Sequence, residues 1–144
     1  MADMKKNRFE FEARVRYSEI DHRGTMTLPA LINYFQDCST FQSETLGAGI
    51  DACNERGRGW VLSSWQVEVD RYPRLIIVKR YPGLCEKITT GTFATEFKGL
   101  YGNRNFYMKD EAGEQIACAN SIWVFMDLEK GRPARPAPEY IDAY

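Results

Sequence analysis

The densest run of chemically capable side chains is Tyr17-Ser-Glu-Ile-Asp-His-Arg-Gly24. It lies between a strand-patterned segment and a helix-patterned one, so it reads as a loop closed by glycine. Asp21 stands a few residues ahead of the helix start, where unpaired N–H groups and the helix dipole favour negative charge. A carboxylate there can activate water while helix amides polarise a carbonyl oxygen. The plainer alternative is a loop aspartate that satisfies backbone donors. His22, the single histidine of the chain, is a second acid–base candidate, although a lone loop histidine is more often solvated.

Other chemistries find little support. No glycine-rich phosphate loop is present, since Gly47-Ala-Gly49 ends a helix rather than opening one. No Gly-x-Ser-x-Gly elbow occurs. Cys38, Cys53, Cys85 and Cys118 are widely spaced and form no Cys-x-x-Cys. With one histidine they predict no zinc site, and they read as reduced thiols. Cys38 falls mid-helix on the apolar stripe, far from His22, which argues against a Cys/His nucleophile pair.

The elements that must position Asp21 follow from periodicity. Residues 8–17 alternate strictly, with Phe9, Phe11, Ala13, Val15 and Tyr17 on one face, as in a half-buried strand. From Thr27 the period changes to three and four. Leu28, Leu31, Ile32, Phe35, Cys38, Phe41 or Gln42, and Leu46 form one stripe of a long helix. Thr25 or Thr27 caps it, Pro29 suits its first turn, and Gly47 stops it. Residues 48–59, with three glycines, are expected to be a loop. Strands are expected near 60–72, 86–98, 101–109 and 115–127, with a hairpin turn at Asp110-Glu-Ala-Gly113. In the first of these, Val61, Ser63, Trp65, Val67 and Val69 share a face. The proline-rich segment 131–138 ends regular structure. One helix covers only one face of such a sheet, which predicts a helix wrapped by a curved sheet and completed by a second copy.

A local duplication interrupts this order. Val67-Glu-Val-Asp-Arg-Tyr-Pro-Arg-Leu75 is followed at once by Ile76-Ile-Val-Lys-Arg-Tyr-Pro-Gly-Leu84, and the two match at five of nine positions. Nine is odd, so an uninterrupted strand would exchange its faces in the second copy. Pro73 and Pro82 disfavour a continuous interior strand, which predicts a bulged-out loop or extra edge ribbon over 73–84. The stretch 71–87 holds Arg71, Arg74, Lys79, Arg80 and Lys87 against one acid, Glu86. It suits an acidic partner, or simply protects an exposed edge.

The whole chain sets the remaining bounds. Its 144 residues carry 19 Lys+Arg against 20 Asp+Glu, a net charge of −1 that does not suit a nucleic-acid binder. The longest apolar run, Ile122 to Met126, is too short for a membrane span, and no signal-peptide h-region follows the early lysines. One domain located in the cytoplasm is expected.

Several motifs, in order, carry a resemblance. Arg16 to Gly24 followed by Leu28-Pro-Ala-Leu-Ile-Asn-Tyr-Phe-Gln-Asp37 resembles the opening of hotdog-fold thioesterases. Gly59-Trp-Val-Leu-Ser-Ser-Trp-Gln-Val-Glu-Val-Asp-Arg-Tyr-Pro73, Phe97-Lys-Gly-Leu-Tyr-Gly-Asn-Arg-Asn-Phe106 and Ala119-Asn-Ser-Ile-Trp-Val-Phe-Met-Asp127 resemble the N-terminal half of acyl-acyl carrier protein thioesterases. The similarity runs from about residue 8 to 138.

The resemblance implies an α+β hotdog fold, a curved antiparallel β-sheet wrapped around one long central α-helix. Residues 1–144 would be a single such domain, with its core in 8–127 and a tail, 128–144, that resembles an inter-repeat linker. It further implies hydrolysis of fatty acyl thioesters on acyl carrier protein or coenzyme A, without metal or cofactor, by a homodimer. Asp21 would be base or nucleophile, and an amide near Gly24 would hold the oxyanion. Leu31, Phe35 and Trp65 would face the acyl chain, and Arg71, Arg74, Lys79 and Arg80 would dock the acidic carrier. The family's chains join two such repeats and keep their catalytic residues in the second. The alternative is therefore a catalytically silent acyl-binding or scaffold domain.

Overall fold

The computed structural model describes residues 8–65 and 76–144. Its axis is helix α1 (Leu28–Thr45). The Thr27 hydroxyl accepts from the Ala30 amide at 3.3 Å, and Pro29 occupies the first turn where no N–H is required. Beyond Leu46 the chain turns at Gly47, whose φ of 70° suits a residue without Cβ. Eighteen residues make a rod about 27 Å long at 1.5 Å per residue.

Among the described residues, seven antiparallel strands curl around this rod: β1 (Phe9–Arg14), β2 (Arg58–Trp65), β3 (Ile76–Val78), β4 (Lys87–Lys98), β5 (Tyr101–Lys109), β6 (Gln115–Asp127) and β7 (Arg132–Pro133). The main path runs β1-β4-β5-β6-β2, and β3 and β7 also pair with β6. A curved antiparallel sheet around one long helix is the architecture expected. Ala30, Leu31, Tyr34, Phe35 and Cys38 of α1 are buried, and Leu31 and Phe35 pack with Ile88, Phe106, Met108 and Ala119 of the sheet.

Four local expectations are corrected. Residues 48–59 are not all loop: Ile50–Arg56 form a short helix, α2, between Gly49 and the left-handed Gly57. Glu44 Oε1 accepts from the Ile50 amide at 3.0 Å, and Asp51 and Arg56 suit the dipole at its two ends. Tyr17 is 82% exposed rather than inward, because β1 ends at Arg14 and a 3₁₀ turn (Tyr17–Glu19) redirects the chain. Of the alternatives on the α1 stripe, Gln42 is buried, while Leu28, Phe41 and Leu46 are exposed. In β2 the single alternating face is broken by a bulge between Leu62 and Ser64, so Trp60, Leu62 and Trp65 are half-buried and Val61 and Ser63 exposed.

The duplicated segment shows in the register. Trp65 pairs with Ser121, and Ile76 pairs with Ala119, two residues along β6. In an unbroken antiparallel ladder the partner of Ala119 would be Val67, the residue equivalent to Ile76 in the first nonamer. Ile76 therefore holds the register that an unbroken ladder would give Val67, with Ile76 and Val78 packed on the core and Ile77 exposed. The exchange of faces that an uninterrupted strand would impose does not occur. Within the expected loop or ribbon at 73–84, residues 76–78 are strand β3. Residues 66–75, with Arg71, Pro73 and Arg74, lie outside those described.

Candidate functional site

The loop that carries Asp21 is closed by its own backbone. Asp21 N–H donates to Thr25 O at 3.1 Å, Gly24 N–H to Asp21 O at 2.9 Å, and Leu84 N–H to Gly24 O at 3.0 Å. Gly24 holds φ at 76°, a conformation that favours glycine. Asp21 Oδ1 accepts from the Arg23 amide at 2.9 Å and Oδ2 from Arg23 Nε at 3.3 Å. The Arg23 amide, and after it the guanidinium, hold the Asp21 carboxyl below its ordinary value, so it is ionised at neutral pH. The structure thus places Asp21, His22 and Gly24 together, with His22 exposed, but Gly24's amide already has an acceptor.

Behind the loop, Glu19 ties it to α1. Its Oε1 accepts from the Arg16 amide at 2.7 Å and from the Tyr34 hydroxyl at 2.8 Å. Burial pushes the Glu19 carboxyl up, but these hydrogen bonds and Arg16's charge outweigh it and leave it low. Burial first, and then the bond to Glu19, push Tyr34 up to about 12. Sequence reasoning missed this pair because its members lie in different elements.

Arg80 departs from its expected role at a docking edge. It donates to both oxygens of Glu86 and reaches Asp110 at 3.1 Å, so its charge is matched within the fold. Lys79 is exposed. Glu86 is held low chiefly by Arg80. Because folding lowers the Glu19, Asp21 and Glu86 values, their stabilisation is complete above the unfolded carboxylate range near 4 and is lost as pH falls through the folded values. Urea midpoints are therefore expected to stay level from about pH 6 to 5 and to drop below about 4. A midpoint that rose on acidification would contradict these pairings.

Leu31, Phe35 and Trp65 belong to packed core rather than to an open tunnel. Phe35 stacks on Phe106 with ring centroids 5.2 Å apart, and Trp65 lies 5.4 Å from Phe106. The open space is instead beside the C-terminal half of α1, a cavity of about 650 Å³. Trp60, Phe97 and Phe125 give it apolar walls, and Ser39, Ser43 and Arg104 give it polar ones. Helix α3 (Pro138–Asp142) and the residues after it form one side, with Tyr140 4.9 Å from Phe125 and the Tyr144 hydroxyl 2.7 Å from Ser43 Oγ. Most of the length of α1 separates this cavity from the Asp21 loop.

Arg104 is the residue that sequence reasoning overlooked. It shares the buried face of β5 with Gly102, Phe106 and Met108, and period two alone places it there. Nη1 donates to Gln42 Oε1 and, at 3.1 Å, to Thr92 Oγ1. The guanidinium lies 5.0 Å from the Tyr144 ring centroid. Burial pulls its value down from the ordinary one, though an arginine stays charged. Among the described residues no cluster of metal-ligating side chains occurs, and no helix is long and apolar enough to cross a membrane.

Comparison with known proteins places this geometry. Residues 6–144 match the profile of the acyl-ACP thioesterase N-terminal domain. A chloroplastic acyl-acyl-carrier-protein hydrolase of Cuphea viscosissima is 27% identical over 125 residues, covering 82% of this chain and 28% of that protein. A crystal structure described as an oleoyl thioesterase from Lactobacillus plantarum superposes with a TM-score of 0.85 at 28% identity, over 95% of this chain and 50% of the other. An acyl-ACP thioesterase from Bacteroides thetaiotaomicron superposes with a TM-score of 0.80 at 26% identity, over 94% and 52%. The chain thus spans about a quarter of the length of the curated relative and about half that of these two structures.

Proposed function

Because the chain belongs to the acyl-ACP thioesterase family through that family's N-terminal domain, we propose that it serves the hydrolysis of fatty acyl thioesters to free fatty acid and thiol. The family match carries this reading, and the cavity beside α1 supports the acyl-binding part of it. The cavity has room for a small ligand, and its walls of Trp60, Phe97 and Phe125 offer an acyl chain an apolar bed. Acyl carrier protein is the proposed bearer of the thioester, with exposed Lys79 and the basic residues Arg71 and Arg74 as its docking edge.

Hydrolysis requires a base that orients water and donors for the oxyanion. Asp21 is the proposed base, since it is ionised and its side chain keeps a quarter of its surface exposed. His22, exposed on the same loop, is the second candidate. A second reading, acyl binding without turnover by this domain alone, is favoured by one observation. Both Asp21 oxygens are held by Arg23, and the Gly24 amide is held by Asp21 O.

Acyl-thioester hydrolysis by the wild type and by Asp21→Asn separates the two readings. A general base contributes about 10²–10⁴ in rate, so a loss of at least about 100-fold is expected. Equal rates would assign the chain to acyl binding alone. The proposal includes a homodimer, paired side by side in keeping with the single layer of helix on the sheet, and light scattering that returned the mass of one chain would reject it. The cytoplasm is the proposed compartment, consistent with four unpaired thiols.

A further inference from the structure

A buried cation ordinarily has a carboxylate beside it. Arg104 is only 7% exposed, yet none of the ion pairs among the described residues includes it. Its visible partners are neutral: the Gln42 amide oxygen, the Thr92 hydroxyl and the Tyr144 ring. Both side-chain hydrogen bonds use Nη1, which leaves the Nε–Nη2 edge without a partner among the described residues. That edge is the fork of a guanidinium that receives a carboxylate through two parallel bonds. Arg104 also lines the cavity, together with the apolar side chains of Trp60, Phe97 and Phe125. Trp60, on the same wall, carries an indole N–H that is buried without a partner among the described residues.

A cavity that pairs an unmatched cation with aromatic surface suits an amphiphile with an anionic end. We propose that it binds an aliphatic carboxylate, with the chain along Trp60, Phe97 and Phe125 and the carboxylate on Nε and Nη2 of Arg104. The binding stands on Arg104 and the cavity alone. Only its consequence, that the free acid occupies the space of the next acyl chain, rests on the proposed hydrolysis. The carboxylate has two possible sources: the head of a free fatty acid, or the far end of an acyl chain that carries a second carboxyl.

Titrations at pH 7 followed by tryptophan fluorescence test this, since Trp60 and Trp123 both border the cavity. Decanoate compared with decan-1-ol probes the first source. S-decanoyl-N-acetylcysteamine compared with its ω-carboxy analogue probes the second. In at least one pair the carboxylate-bearing probe is expected to bind at least about tenfold more tightly, equivalent to about 1.4 kcal/mol. In Arg104→Gln that ratio is expected to collapse to about twofold or less, and Arg104→Lys, which keeps the charge but not the fork, should fall between. No preference in either pair in the wild type, a comparison that needs no variant to fold, would overturn the proposal. So would a preference that Arg104→Gln retains. Because binding is read directly, a protein without hydrolytic activity gives the same answer.

Discussion

Deleting residues 67–75 leaves a folded protein with an intact ladder on β6 and a higher Tm. Trp65 and Ile76 pair with Ser121 and Ala119, so after the deletion Gln66 alone joins them, opposite Asn120. No side chain that packs on the core is removed from β3, because Ile76 and Val78 stay where they are. The loop-closure cost of about ten residues, (3/2)RT ln n, is about 2 kcal/mol, which sets the scale of the expected gain. At roughly 2–4 °C per kcal/mol, Tm rises by several degrees.

The complementary deletion, residues 76–84, is also expected to fold, with Val67 and Val69 replacing Ile76 and Val78. Arg74 would then replace Gly83, where an added Cβ meets nothing closer than Gly24 O at 3.8 Å. Its Tm should lie below that of the first deletion, since Ile→Val at a core position costs roughly 0.5–1.5 kcal/mol. Thermal melts of both variants check this. A protein that loses its cooperative melt on deletion of 67–75 would show that these residues are needed for the fold.

Phe106→Ala is expected to cost about 3–5 kcal/mol, the range for a large aromatic removed from a packed core. The side chain is almost fully buried, with Phe35 stacked at 5.2 Å and Trp65 at 5.4 Å. Neither neighbour can collapse into the gap freely, because α1 and β2 hold their backbones. Against a total stability of about 5–15 kcal/mol, the loss is large enough to halve a urea midpoint at constant m. A loss below about 1 kcal/mol would mean that Phe35 and Trp65 face open space for an acyl chain, as the family resemblance implied, rather than a close-packed cluster.

Where local chemistry settled the structure, the sequence was readable. Thr27, Pro29 and Gly47 marked both ends of α1, and strict alternation marked β1 before any pairing was known. Helix α2 was hidden by glycines at Gly47, Gly49, Gly57 and Gly59, which are its flanks rather than signs of a loop. The separation of Val61 and Ser63 from the face of Trp65 was illegible because the bulge between Leu62 and Ser64 is set by pairing with β6. At the candidate site, Asp21 and its loop were visible as a motif. The Glu19–Tyr34 bond and the Arg80–Asp110 pair were not, since each joins residues far apart in the chain. Arg104 was legible in principle, as a charge on an apolar face of β5, but its meaning depends on a cavity built from several other elements.

One side of β6 receives β2 and β3 in turn, while its other side is taken by β5 and, past Val124, by β7. In the language of reading frames, β6 is a fixed template and this flank is read against it. The flank gains one residue at the bulge and advances by nine between Trp65 and Ile76, yet each time it returns to a position that sends apolar side chains inward. Insertions on this flank are therefore silent to the core whenever the chain can rejoin the template. Added length on β5 has no such freedom, because two neighbours read it at once.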